Sequence, residues 1–112
     1  MSVLVWKLSP DLKKVQPLEF GQAVNCSKIT DKIPAGCYTT LRTFQGDKVL
    51  AFKKHIDRLK ESALVVGREL NIPETQLKSV IRNLLPDKKV DWRVRVIIDL
   101  TKIIGEVYIC VE

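Results

Sequence analysis

The sequence predicts an α+β domain, a largely antiparallel sheet with two helices packed on one face. Segments 3–8, 37–44, 92–99 and 106–112 alternate apolar and polar residues with the period of two that marks a strand. Between the second and third of these the period lengthens, and residues 51–70 and 73–84 each carry a single apolar stripe at helical spacing. Turn-forming residues at Gln45-Gly46-Asp47 and around Gly105 join neighbouring strands over short distances, as antiparallel pairing allows.

The opening strand sets Val3, Val5 and Lys7 against Leu4, Trp6 and Leu8, and Ser9-Pro10-Asp11 supplies turn chemistry after it. From Asp11 to Ile33 the pattern is broken by Pro17 and Gly21, and only Pro17 to Ala23 has strand character; Trp6 and Phe20 read as core. The next strand places Tyr38, Thr40, Arg42 and Phe44 on one face and Cys37, Thr39, Leu41 and Thr43 on the other. Its hairpin partner is a short strand near Val49. The first helix, 51–70, aligns Phe52, Ile56, Leu59, Ala63 and Val66, and Asn71-Ile72-Pro73 forces an extended step after it. In the second helix Pro73 lies near the first turn, Glu74 suits the positive end, Leu77, Val80, Ile81 and Leu84 form the stripe, and Pro86-Asp87 stops it. The helices are expected to pack through Ile56, Leu59, Ala63, Val80, Ile81 and Leu84. The late strands direct Trp92, Val94, Val96 and Ile98 one way and Arg93, Arg95, Ile97 and Asp99 the other, with Val107, Ile109 and Val111 facing the core.

A chain of 112 residues is one domain by length. No apolar run reaches the roughly 20 residues that span a bilayer, so no membrane association is expected, and the N-terminus carries no signal-peptide pattern. Cys26, Cys37 and Cys110 are an odd count without metal-ligand spacing, which points to reduced thiols in a cytoplasmic protein and to no metal site. The net charge of +6 is spread over lysine pairs that no aromatics interleave, so a nucleic-acid partner is not expected.

The candidate chemistry is that of anions. His55 and Arg58 share a helix face, with Ser62 a turn further on. An arginine suits a phosphate because its planar fork stays charged and offers several N–H donors. On the residues alone Arg58 is either such a clamp or a surface arginine paired with Asp57 or Glu61, and His55 is more naturally a packed, hydrogen-bonded residue than a catalyst. The face holding Tyr38 is either a solvated sheet face or part of a site. Arg93 and Arg95 share a strand face and are costly to bury unless an anion or carboxylate meets them. No hydrolase, P-loop or dinucleotide motif occurs.

Gly36, Tyr38, Arg42, Gly46, Phe52, His55-Ile56-Asp57-Arg58-Leu59 and Ser62-Ala63 together resemble the small N-terminal domain of the class IV pyridoxal-phosphate enzymes, which include branched-chain and D-amino-acid aminotransferases and aminodeoxychorismate lyase. Cys37-Tyr38-Thr39-Thr40 is similar to the lyase branch, and Lys32-Ile33-Pro34-Ala35 departs from the Gly-Asp-Gly segment usual before the aromatic. The resemblance implies that Arg58 binds the phosphate of pyridoxal 5'-phosphate and that Tyr38 and one of Arg93 and Arg95 lie near an amino acid substrate. It also implies that the cofactor-bearing lysine belongs to a larger C-terminal domain beyond Glu112. On that reading residues 1–112 are one domain of a homodimeric aminotransferase or lyase, hold no catalytic residue of their own, and are inactive and without stable cofactor when alone. The alternative is a free-standing, non-catalytic binding module that kept the fold.

Overall fold

The computed structural model describes residues 3–9, 11–18, 26, 30–31, 36–44, 48–49, 51–87, 89–101 and 106–112. Six strands and two helices are formed by these residues: β1 (Leu4–Leu8), β2 (Val15–Leu18), β3 (Gly36–Phe44), β4 (Lys48–Val49), α1 (Phe52–Val65), α2 (Glu74–Leu84), β5 (Arg93–Asp99) and β6 (Glu106–Val111). The strands make one sheet in the order β2-β1-β6-β5-β3-β4, and every pairing is antiparallel. The α+β architecture expected from the periodicities is therefore the one observed. The expected turns at 45–47 and around Gly105, and Phe20, lie outside the described residues. Of the stretch 17–23, Pro17 and Leu18 close β2, and the rest lies outside them too.

The two helices cover one face of the sheet. Cys37, Thr39, Leu41 and Thr43 of β3 turn inward there, while Tyr38, Arg42 and Phe44 are exposed on the other side, as the alternation requires. Ile56, Leu59, Ala63, Leu77 and Ile81 meet Leu41, Val94, Val96, Ile98, Val107, Ile109 and Val111 in a single buried cluster. Val80 and Leu84, also expected in the helix packing, are half-buried and packed against this cluster.

Helix α1 stops five residues short of the expected end. Gly67, with φ of 76°, takes the left-handed conformation that glycine adopts without penalty. Its N–H donates to the Leu64 carbonyl and the N–H of Arg68 to that of Ala63, the pair of bonds that closes a Schellman motif. Val66 is therefore outside the helix and exposed, not part of the buried stripe, and Leu64 and Val65 are exposed beside it. Helix α2 follows the expectation closely, with Pro73 as its N-cap, Glu74 in its first turn and an extended Leu85 before Pro86. Lys60 of α1 and Glu74 of α2 tie the two helices together at 3.5 Å.

A second cluster is buried on the opposite face of the sheet. Val5, Ile97, Tyr108 and Cys110 are buried there with Cys26, whose backbone N–H donates to Glu112 Oε2 at 2.9 Å. Val107, Ile109 and Val111 of β6 face the helix-side core as expected, and Tyr108 and Cys110 are buried on the other side as well. Burial and a hydrogen bond to Glu106 push the Tyr108 hydroxyl up to about 12. All three cysteines are free and buried, and the Cys110 thiol is raised by its hydrogen bond to Cys26 and by burial. Among the described residues no helix is long and apolar enough to cross a membrane.

Candidate functional site

Helix α1 lies over β3 and sets the first half of the site. Its residues recur every 3.6 positions, so the buried Phe52, Ile56, Leu59 and Ala63 leave His55 at the rim of the packed face and Arg58 outside it. Thr39 Oγ1 and His55 Nδ1 share a 2.9 Å hydrogen bond, which fastens the imidazole to the inward face of β3. This is the packed, hydrogen-bonded histidine that the sequence favours over a catalyst. Burial, and then the neighbouring Arg58 charge, hold the His55 pKa below its ordinary value.

Arg58 is exposed, and no described residue accepts a hydrogen bond from it. Of the two acids expected to compete for it, Asp57 is engaged 3.2 Å from Lys53, one helical turn before it. Among the described residues the Arg58 guanidinium thus has no carboxylate partner, and its charge is close enough to His55 to oppose protonation. From this proximity a titration is expected. The His55 imidazole should titrate below the ordinary value of about 6.5, and Arg58→Ala should raise its midpoint. The unfolded chain binds that proton more readily than the folded one, so His55 costs stability as pH falls below the ordinary histidine value. NMR of the single histidine ring, followed against pH in both proteins, checks this; an identical midpoint in the two would contradict it.

The second half of the site lies on the other side of the sheet. The β3–β5 register pairs Tyr38 with Ile97, Thr40 with Arg95 and Arg42 with Arg93. Arg95 lies over the Tyr38 ring with its guanidinium carbon 4.4 Å from the centroid, a cation–π contact. Its Nε donates to Thr40 Oγ1 at 3.1 Å and its Nη1 to Thr30 Oγ1 at 3.0 Å. Arg93 has a different fate, since its Nη1 is 3.1 Å from Glu112 Oε1 and its charge is met by that carboxylate. The structure so brings Tyr38 and Arg95 together, neutralises Arg93, and leaves Arg58 on the helix side, joined to neither. β4 pairs with Thr43 and Phe44 alone, and no described strand pairs with the outer edge of β3 from Gly36 to Arg42.

Thr30, Thr40 and Glu112 are the participants that sequence reasoning did not single out. Thr40 was legible as a hydroxyl on the Tyr38 face. Thr30 carried no signal, since it meets Arg95 from 65 positions away.

The profile of the amino-transferase class IV family matches residues 36–106, and the chain belongs to that family. No curated protein sequence matches it. Among solved structures it is similar to a candidate branched-chain amino acid aminotransferase from Thermotoga maritima, with 24% identity, a TM-score of 0.65, and coverage of 98% of this chain and 37% of that one. A fold IV transaminase from Curtobacterium pusillum matches with 14% identity and a TM-score of 0.60, over 99% of this chain and 42% of that one. A hypothetical aminotransferase from Mycobacterium tuberculosis, in a form with bound pyridoxal phosphate, matches with 14% identity and a TM-score of 0.56, over 96% of this chain and 39% of that one. At these identities the likeness is one of fold. The chain thus spans about two fifths of the length of the structures it resembles.

Proposed function

We propose that this chain is the cofactor-phosphate side of a pyridoxal-phosphate-dependent aminotransferase or related lyase acting on amino acids. Its site is completed by a larger, lysine-bearing domain in a homodimeric enzyme. The observation that carries this reading is Arg58, which stands in the H-x-x-R-L motif of a class IV chain with its guanidinium exposed and its neighbouring acid Asp57 taken by Lys53. That arrangement fits a phosphate group, which needs a fixed, permanently charged fork and no competing carboxylate. The free thiols of Cys26, Cys37 and Cys110 fit a reducing compartment such as the cytoplasm.

Pyridoxal phosphate, when bound, draws electrons from the bonds at the α-carbon of an amino acid. The work of this chain is to hold and orient. Arg58 takes the phosphate from the helix side, and Leu59 and Ala63, packed beneath it, keep that stretch of helix in place. His55, held neutral, adds no second charge and anchors the helix to β3 through Thr39. On the other face of β3, Tyr38 offers a ring face, and Arg95 offers a half-buried charge that no described carboxylate meets. Arg95 rather than Arg93 therefore receives the carboxylate of the amino acid, since Glu112 already occupies Arg93.

In the complete enzyme, Arg58→Ala is expected to weaken cofactor retention by about 10- to 100-fold, the worth of charge-assisted hydrogen bonds to a phosphate. Arg58→Lys is expected to recover part of it, having charge without the fork. The melting temperature of the 112-residue chain should not change in either variant, because Arg58 lies outside the buried stripe. Cofactor dissociation and thermal melting measured side by side check this. Unchanged retention in Arg58→Ala rejects the phosphate role, and a large drop in melting temperature makes Arg58 a structural residue. The 112-residue chain alone is expected to keep no cofactor through dialysis and to show no transamination.

A further inference from the structure

We infer that Thr30 is a positioning residue that fixes Arg95 as a preformed carboxylate receptor on the sheet face bearing Tyr38. The inference rests on the reading that Arg95 meets the carboxylate of the substrate, and adds the group that makes this possible. A threonine hydroxyl has one proton to give and two lone pairs to offer. Thr30 Oγ1 donates to the Cys26 carbonyl at 2.8 Å, the turn before it, so a lone pair is left to face Arg95 Nη1 at 3.0 Å. Thr40 accepts from Nε, and the Tyr38 ring lies against the guanidinium plane. Two of the five N–H donors of Arg95 are used in this way, and no described residue takes the other three.

Both fixed donors end on neutral hydroxyls, so among the described residues the positive charge of this half-buried arginine is oriented but met by no carboxylate. An uncompensated charge removed from water favours an anion, and a planar fork with free N–H groups favours a carboxylate. Glu112, the carboxylate nearest in register, is engaged elsewhere. Its Oε1 binds Arg93 and its Oε2 binds the Cys26 N–H, so one carboxylate holds both the competing arginine and the turn that presents Thr30. Two anchors and a ring face remove most of the freedom of a long side chain, which would otherwise be lost at the moment of binding.

The test uses the isotope-labelled 112-residue chain with acetate as the carboxylate and chloride at equal ionic strength as the control. Acetate should shift the Arg95 Nε–H resonance saturably and beyond the effect of chloride. Thr30→Val should weaken that binding about tenfold, the worth of one hydrogen bond to a charged group. Thr30→Ser should restore it to within about twofold, since the hydroxyl is kept. Thr30→Ala is a second deletion of the hydroxyl, so the outcome does not hang on one folded variant. Acetate affinity unchanged in the valine and alanine variants overturns the positioning role of Thr30 alone. Acetate that leaves Arg95 unshifted in the unaltered chain overturns the reading of Arg95 itself and the inference with it.

Discussion

Replacing Leu59 by alanine is expected to destabilise the chain by about 2–5 kcal/mol, lowering its melting temperature by roughly 10 to 25 °C. Leu59 is 1% exposed and sits where α1 meets the sheet, among Ile56, Leu41, Val96 and Ile98. Its own carbonyl accepts the Cys37 thiol at 3.7 Å, so the helix is fastened to β3 at this turn by backbone as well as side chain. The surrounding cluster includes Leu41, Val96 and Ile98 on strands held in the sheet, which close poorly over a cavity, so the cost should lie toward the upper part of that range. Domains of this size are held by only about 5–15 kcal/mol, so the loss is a large fraction of the total stability. The contrast with Arg58, its neighbour in sequence, is the informative part. Thermal melting of the two alanine variants should separate by most of that shift, and equal melting would mean that the helix is rotated from the orientation described.

Gly36→Ala is the second large effect expected, and its cause is close approach. A β-carbon built on Gly36 falls inside the van der Waals surface of the Ile98 carbonyl oxygen and 2.9 Å from the carbonyl carbon. Both atoms belong to the backbone of β5, which is pinned between β3 and β6 and cannot swing aside. The start of β3 must instead peel from Asp99, at a cost of roughly 1–3 kcal/mol. Peeling there moves Tyr38, two residues on, off the ring contact with Arg95. Amide hydrogen exchange should therefore quicken at residues 36–38 and 97–99 more than at 107–111. A variant that melts with the unaltered chain and exchanges like it would contradict the tight β3–β5 approach.

The helices and the helix-facing side of the sheet were legible because burial on one side writes a period into the sequence. Ile56, Leu59, Ala63 and Ile81 repeat at helical spacing, and Cys37, Leu41 and Thr43 at strand spacing, and all are buried where those periods place them. The end of α1 was misread because the apolar run Leu64-Val65-Val66 carries on the pattern, whereas Gly67 and its two capping bonds decide where the helix stops. A local backbone conformation overrode the periodicity there. The second buried cluster was half legible. Strand alternation shows that Tyr108 and Cys110 share a side with Arg95 and Ile97, but not what covers them. Among the described residues Cys26 covers them, bonded to Glu112 across 86 positions of sequence. Distance along the chain also hid Thr30, while Arg58 was legible because its motif is local. Pattern does not distinguish Arg93 from Arg95, since both share a face; the structure pairs Arg93 with Glu112 and sets Arg95 against Tyr38, Thr40 and Thr30.

The central claim is that Arg58 meets the phosphate and not some other part of the cofactor. The measurement that tests it most directly compares pyridoxal phosphate with pyridoxal, which lacks the phosphate, for binding to the complete enzyme with Arg58 and with Arg58→Ala. The account predicts a loss of about 10- to 100-fold for the phosphorylated form and a change of no more than about twofold for the other, because the removed hydrogen bonds exist only where the phosphate does. Equal losses for the two forms, or no loss for pyridoxal phosphate, would contradict it.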